Sequence, residues 1–176
     1  LNVESRPELS AKGTERAAAL GYGRMRFATA HIVDADYPQK LHLLTALHAC
    51  DTATDDAMAV AIAHQAEHIA LVPCCQAEVA QQLKDARPKV ESAVQALFSH
   101  PWHRREFGSH LTNVIRALVL EAHGYQVTVT ELAGWEHSLK NELILARRVQ
   151  QSNGIAKKRL AALLETTGVA PKIVRT

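Results

Sequence analysis

Two short runs hold much of what this chain can do chemically. His48-Ala49-Cys50-Asp51 puts an imidazole, a thiol and a carboxylate within four positions. Pro73-Cys74-Cys75-Gln76 adds two adjacent thiols and an amide. His48 or Asp51 can orient a nucleophile or take its proton. Each has a plainer reading beside that one. Cys50 reads first as a small buried hydrophobe, and Asp51 also as the N-cap of the helix that follows. Three cysteines and a histidine could surround a metal. Their spacing matches no standard zinc signature, and adjacent cysteines rarely give one zinc two ligands, so no metal site is assigned.

The elements around these runs explain why they should meet. Leu41 to Leu47 is an apolar run ending at His48, and Ile69 to Val72 is another ending at Pro73. Between them lies a helix with Ala57, Val60, Ala61 and Ala63 in its inner register. Two buried strands joined by one helix make a parallel βαβ unit. The crossover is right-handed in nearly all such units, so both strands end at one edge. Ligands of open α/β sheets bind at that edge. Thr52 or Thr54 can cap the helix, with Asp55 and Asp56 in its first turn.

The rest of the chain extends the pattern. Leu1 to Glu4 reads as the end of a strand, and Pro7 opens a helix to Leu20 with Leu9, Gly13, Ala17 and Leu20 on one side. Met25 to Ala30 is a short strand, and His31 to Gln39 a loop. After the βαβ unit, helices are expected over Gln76–Leu83, Lys89–Phe98 and Leu111–His123. Pro88 and Pro101 interrupt between them, and His100, His103, Arg104, Arg105 and His110 form a polar, partly cationic stretch. Tyr125 to Leu132 alternates as a strand, Ala133 to Lys140 connects, and Asn141 to Arg147 is a further strand. The two form an antiparallel pair at the end of the sheet. Ile155 to Glu165 is a closing helix.

Composition narrows the class. A chain of 176 residues with 47% apolar content makes one domain. No run approaches eighteen apolar residues, so no membrane partner is expected. Three cysteines are an odd number, which argues against a disulfide framework and for a reducing, cytoplasmic setting. Charge is uneven: seven basic residues and only Glu165 as an acid lie between Arg147 and Thr176. A basic tail can face a polyanion, or it can be a solvated helix face. Aromatics are only 5%, and no stacking platform for single strands stands out.

Several words of the sequence resemble a known family. "VESRPEL", "ALHACDTATDDAM", "VPCCQAEV" and "EHSLKNELILA" occur in this order. Together they resemble class I S-adenosylmethionine-dependent methyltransferases, in the branch of the methyltransferase-like 25 group and its bacterial relatives. The likeness spans residues 1–148, and residues 149–176 form a basic helix and tail. It implies an α/β, Rossmann-like methyltransferase sheet, mostly parallel, with a C-terminal antiparallel strand pair. It also implies that the family's first strand and glycine-rich loop are missing here, so the chain is expected to be part of a longer enzyme. Alone it should fold poorly or bind cofactor poorly.

The same resemblance implies roles. Glu4 ends the second strand of the family's sheet, where an acid binds the ribose hydroxyls of S-adenosylmethionine. His31 lies near the adenine, contributing main chain, and Leu47 and His48 complete the cofactor side. His48 and Asp51 face the transferred methyl group. Cys74, Cys75, Gln76, Glu136, His137, Lys140 and Asn141 lie toward the substrate. Arg104, Arg105 and His103 either line the same cleft or form a solvated face. Methyl transfer needs mainly alignment, and a base only where the acceptor must lose a proton. The acceptor is expected to be RNA or a protein. Two other functions stand against this one: a non-catalytic partner-binding module with a degenerate cofactor site, and a Cys/His metal-binding protein.

Overall fold

The computed structural model describes residues 1–74, 76–85, 93–132 and 141–175. Among the described residues six strands carry the fold: β1 (Asn2–Glu4), β2 (Phe27–Thr29), β3 (Leu43–Leu47), β4 (His68–Val72), β5 (Tyr125–Glu131) and β6 (Glu142–Arg148). Among the same residues five α-helices accompany them: α1 (Pro7–Ala19), α2 (Thr52–Ala63), α3 (Glu78–Asp85), α4 (Pro101–Ala122) and α5 (Gly154–Thr167). β1 and β2 form a parallel pair, and the remaining strands form a second sheet in the order β3-β4-β6-β5. The β3–β4 pair is parallel, whereas β6 runs antiparallel to both β4 and β5. The architecture is thus mixed α/β, and among the described residues parallel pairing is confined to β1–β2 and β3–β4, so the sheet is not mostly parallel as expected. The antiparallel pair expected at the sheet's end is present.

The β3–α2–β4 unit forms as its apolar runs predict. Leu44, Ile69, Leu71, Ile144 and Ala146 lie on one face of the four-stranded sheet and pack with Met58 and Ala61 of α2 and with Leu111, Ile115 and Val119 of α4. Removing this apolar area from water is the main stabilising term. The inner face of α2 matches the expected one in part. Ala57 and Ala61 are buried, but Ala63 is exposed, and Thr54, Asp55 and Met58 take the inner positions. In α1, Ala17 is buried while Leu20 falls past the helix end and is 69% exposed.

The opposite sheet face is open in part, although Val72 on it is buried. Leu43, Leu47 and Leu145 share it by register and are 58%, 64% and 39% exposed. β1 and β3 are both end strands of their sheets. Between them runs a cleft of about 1160 Å³, bounded by β1 and Arg6 on one side and the length of β3 on the other.

Helix α4 begins at Pro101, ten residues before the apolar register predicts. Proline is suited to a first helical turn because its missing N–H has no partner there anyway. The early turns are rich in His and Arg, so they carry no continuous apolar stripe for periodicity to detect. Ala93–Phe98 is a 3-10 segment, not α-helix, and residues 89–92 of the helix expected over Lys89–Phe98 lie outside the described residues. The Ala133–Lys140 connection lies outside them too. No helix among the described residues is long and apolar enough to cross a membrane.

Candidate functional site

The HACD and PCCQ corners meet. Leu47 and Val72 are the last register pair of β3 and β4, and the His48 amide extends the ladder by donating to Val72 O at 2.9 Å. Both chains then turn at the same edge. Cys50 Sγ comes within 3.1 Å of Cys74 Sγ. Asp51 Oδ1 accepts the amides of Ala77 at 3.0 Å and Glu78 at 3.3 Å. His48 and Asp51 have φ of 53° and 51°, which is costly for residues with a Cβ. Strain is held in the corner by the bonds on either side of it.

Asp51 occupies the N-cap position of α2, but its side chain does not cap that helix. Its carboxylate instead serves the start of α3, where unpaired amides and the helix dipole favour an anion. Thr52 and Thr54 do not cap α2 either; Thr54 Oγ1 donates back to Ala49 O at 2.5 Å. The expectation for Cys50 also changes. It is exposed and lines the cleft, because the corner turns it outward beyond the end of β3.

Behind the corners lies a network that sequence reasoning missed. Arg116 of α4, 0% exposed, donates from Nε to Asp55 Oδ1 at 2.7 Å, from Nη2 to Asp51 O at 2.7 Å and from Nη1 to Asn113 Oδ1 at 3.2 Å. Gln76 Nε2 donates to Asn113 Oδ1 at 3.3 Å, and Ser109 Oγ donates to Gln76 Oε1 at 2.8 Å. Asn113 Nδ2 donates to Glu142 Oε2 at 2.9 Å. Burial pushes the Asp55 carboxyl above its ordinary range, and the Arg116 hydrogen bond acts in the opposite direction. Among the described residues, no buried side-chain polar atom lacks a partner, as a network in a low-dielectric interior requires. The available signal was an arginine inside the apolar stretch of α4, together with a carboxylate in the first turn of a buried helix.

Glu4, His31, Leu47, His48 and Cys50 all line the cleft. The Glu4 carboxylate holds the Arg6 side chain at 3.2 Å and the Arg6 amide at 3.0 Å. The side-chain bond, then the amide, keep its carboxyl below the usual range. An ionised acid therefore stands at the cleft wall. His31 is exposed there and precedes a 3-10 turn at Ile32–Asp34. Asp51 does not line the cleft; it faces α3. Gln76 faces α4 through Ser109 and Asn113. Asn141 is buried, accepts the Leu132 amide at 2.9 Å and adjoins Glu142 of the network. Cys75, Glu136, His137 and Lys140 lie outside the described residues. Among the described residues no group of three His, Cys, Asp or Glu could hold a metal.

Two further features border the rim. β5 runs parallel to β4, so α4, which leads into β5, has its first residue on the rim side. At 1.5 Å per residue, Trp102 stands roughly 16 Å up the helix from Asn113. Trp102 is 64% exposed, and the Arg105 guanidinium lies 4.2 Å from its ring centroid. His100 and His103 meet edge to face beside it. The basic C-terminal segment is partly engaged: Lys172 pairs with Asp56 and Arg175 with Glu78, after α5 has packed along α4.

Residues 1–82 match the profile of a family described as a methyltransferase domain. The matched stretch contains Glu4, His31, both corners and all three cysteines. The match supports a methyltransferase family. No curated protein and no solved structure matches the chain.

Proposed function

We propose that this chain carries the acceptor-facing part of an S-adenosylmethionine-dependent methyltransferase that acts on RNA. The observation that carries the reading is the meeting of the HACD and PCCQ corners at one sheet edge, beside a cleft walled by Glu4. When bound, the cofactor supplies an electrophilic methyl group on sulfur. The residues present fit it in part. Glu4 is ionised and can accept both ribose hydroxyls, since a carboxylate offers two oxygens. The His31 main chain can border the adenine, and Leu47 and His48 the methionine end.

The chain's own work is to align the acceptor and exclude water. His48, held by the β3–β4 ladder, is the group that can take a proton from an acceptor nitrogen or oxygen. Asp51 positions the corner through α3. Gln76, fixed through both ends of its amide, can present the PCCQ backbone to the acceptor. Cys75, Glu136, His137, Lys140 and Asn141 complete the substrate side in this reading.

RNA is preferred to protein as acceptor because of Trp102. An exposed indole with an arginine stacked on it is suited to unpaired bases. Neighbouring Arg104 adds charge for phosphates. The Trp102→Ala variant should bind a short single-stranded RNA at least several-fold more weakly in fluorescence anisotropy, and wild-type binding should fall steeply with salt. A flat salt response with methylation of a protein substrate would assign the acceptor to protein.

We further propose that a parallel strand and a glycine-rich turn fill the gap between β1 and β3 in the complete catalytic domain. Two end strands facing one cleft support this, because each offers a row of unpaired ladder groups to a strand laid between them. The same observation favours a second reading, a module that completes its sheet with a partner's strand. Calorimetric titration with S-adenosylhomocysteine separates the two. Binding by a form extended upstream of Leu1 supports the enzyme, and no binding by either form supports the module.

A further inference from the structure

The two sulfurs at the rim invite a different question from methyl transfer. Cys50 and Cys74 are 24 residues apart in sequence, yet their sulfurs are 3.1 Å apart. The contact does not depend on the sulfurs themselves. The Leu47–Val72 register, the His48 amide on Val72 O and the Asp51 carboxylate on the α3 amides already hold the two corners together. Cys50 is exposed at the cleft wall and Cys74 is half-buried behind it. Among the described residues Cys50 Sγ also makes a weak polar contact to His48 O at 3.7 Å. An exposed thiol backed by a second one in contact is the arrangement that forms disulfides readily, with the first attacked and the second resolving. Simple packing would bury Cys50, and it is not buried.

We propose that Cys50 and Cys74 are a redox-active dithiol that reacts with small-molecule disulfides such as oxidised glutathione. The Cys50 thiolate attacks one sulfur of the small disulfide, forming a mixed disulfide and releasing one small thiolate. The Cys74 thiolate then attacks Cys50 Sγ, forming the Cys50–Cys74 bond and releasing the second. The two protons lost by the protein end on the two released thiols, and the small disulfide is the species reduced. The product joins the ends of β3 and β4 covalently and fixes the spacing of the corners. A chain read as a reduced protein from its odd cysteine count thus carries one pair ready to oxidise and one cysteine, Cys75, left over. The proposal does not depend on cofactor binding or on the identity of any acceptor.

The test equilibrates the whole chain with mixtures of reduced and oxidised glutathione, traps remaining thiols with an alkylating agent and maps peptides by mass spectrometry without reduction. Two of the three thiols should be lost together, with Cys50 and Cys74 in one cross-linked peptide. Cys75→Ser should form that link to the same extent, and Cys50→Ser should abolish it. The urea midpoint of the wild-type chain should rise on oxidation and return on adding reductant, because the link constrains the unfolded chain. Alkylation of all three thiols in the most oxidising mixture would overturn the proposal. So would a link through Cys75, or glutathionylated Cys50 that never resolves. Cys50 is exposed, so its serine variant should keep the fold and remain informative.

Discussion

Arg116 Nε donates to Asp55 Oδ1 at 2.7 Å, and the two side chains are 1% and 3% exposed. They come from the C-terminal half of α4 and the first turn of α2. Their pairing sets how the longest helix sits against the helix behind the HACD corner. Truncating one partner leaves the other as an uncompensated buried charge, which costs about 3–5 kcal/mol. Arg116→Met should lower unfolding stability by that amount in urea titrations. Adding Asp55→Leu to it should recover a large part of the loss, because an apolar pair of similar volume removes the stranded charge.

Asp51 gives a milder and more specific expectation. Its carboxylate is committed to the Ala77 and Glu78 amides. Asp51→Ala should therefore cost about 1 kcal/mol, the usual loss of a helix cap. Asp51→Asn keeps an acceptor and should lose only a fraction of that. Equal losses in the two variants, read by urea titration, would show that charge and not capping holds the corner.

Two glycines report on close approaches. A Cβ on Gly108 would stand 2.6 Å from the Ala80 Cα, so Gly108→Ala must push α4 away from α3, at about 1–3 kcal/mol. Gly124 has φ of +87°, and a Cβ there would also run into the Gln150 carbonyl. Gly124→Ala should be the more damaging of the two in thermal unfolding.

Glu4→Gln tests the cofactor wall. It removes the charge and leaves one donating group where ribose hydroxyls need two acceptors. Hydrogen bonds to charged groups contribute about 1.5–3 kcal/mol, so affinity for S-adenosylhomocysteine should fall roughly tenfold or more in the form that binds it. An unchanged affinity would remove Glu4 from the site.

Glu67 supplies a pH signature. Lys40 at 2.9 Å and His42 at 3.0 Å hold its carboxyl down to about 2, against an ordinary value of 4.5. A depressed carboxylate adds stability that is complete above the ordinary value and fades as pH falls toward 2. All three groups are exposed, so the effect on stability is small. The carboxyl carbon resonance should titrate near pH 2 in NMR, and Lys40→Ala should move the midpoint up.

The sequence was most informative where one physical rule dominated. Apolar runs of strand length on either side of a helix placed β3, α2 and β4, and handedness brought their corners together. The residues that were hidden answer to tertiary context. Arg116 drew no reading from the sequence, because nothing local says that a carboxylate 61 positions earlier will meet it. Asp51 looked like a cap, and it is one, but for a helix that begins beyond the next strand. Trp102 belonged to a polar stretch without period, and only the start of α4 at Pro101 gives it a position. Cys50 was read as buried because cysteines usually are; the turn after β3 decided otherwise.

The open flank of the four-stranded sheet has a practical consequence for anyone handling the chain. β3 ends the sheet with a row of backbone groups available to another strand, and Leu43, Leu47 and Leu145 lie on the adjoining surface. Such borders template growth from molecule to molecule. Turbidity should climb with protein concentration, and charged substitutions at Leu43 or Leu47 should keep solutions clear while leaving circular dichroism unchanged.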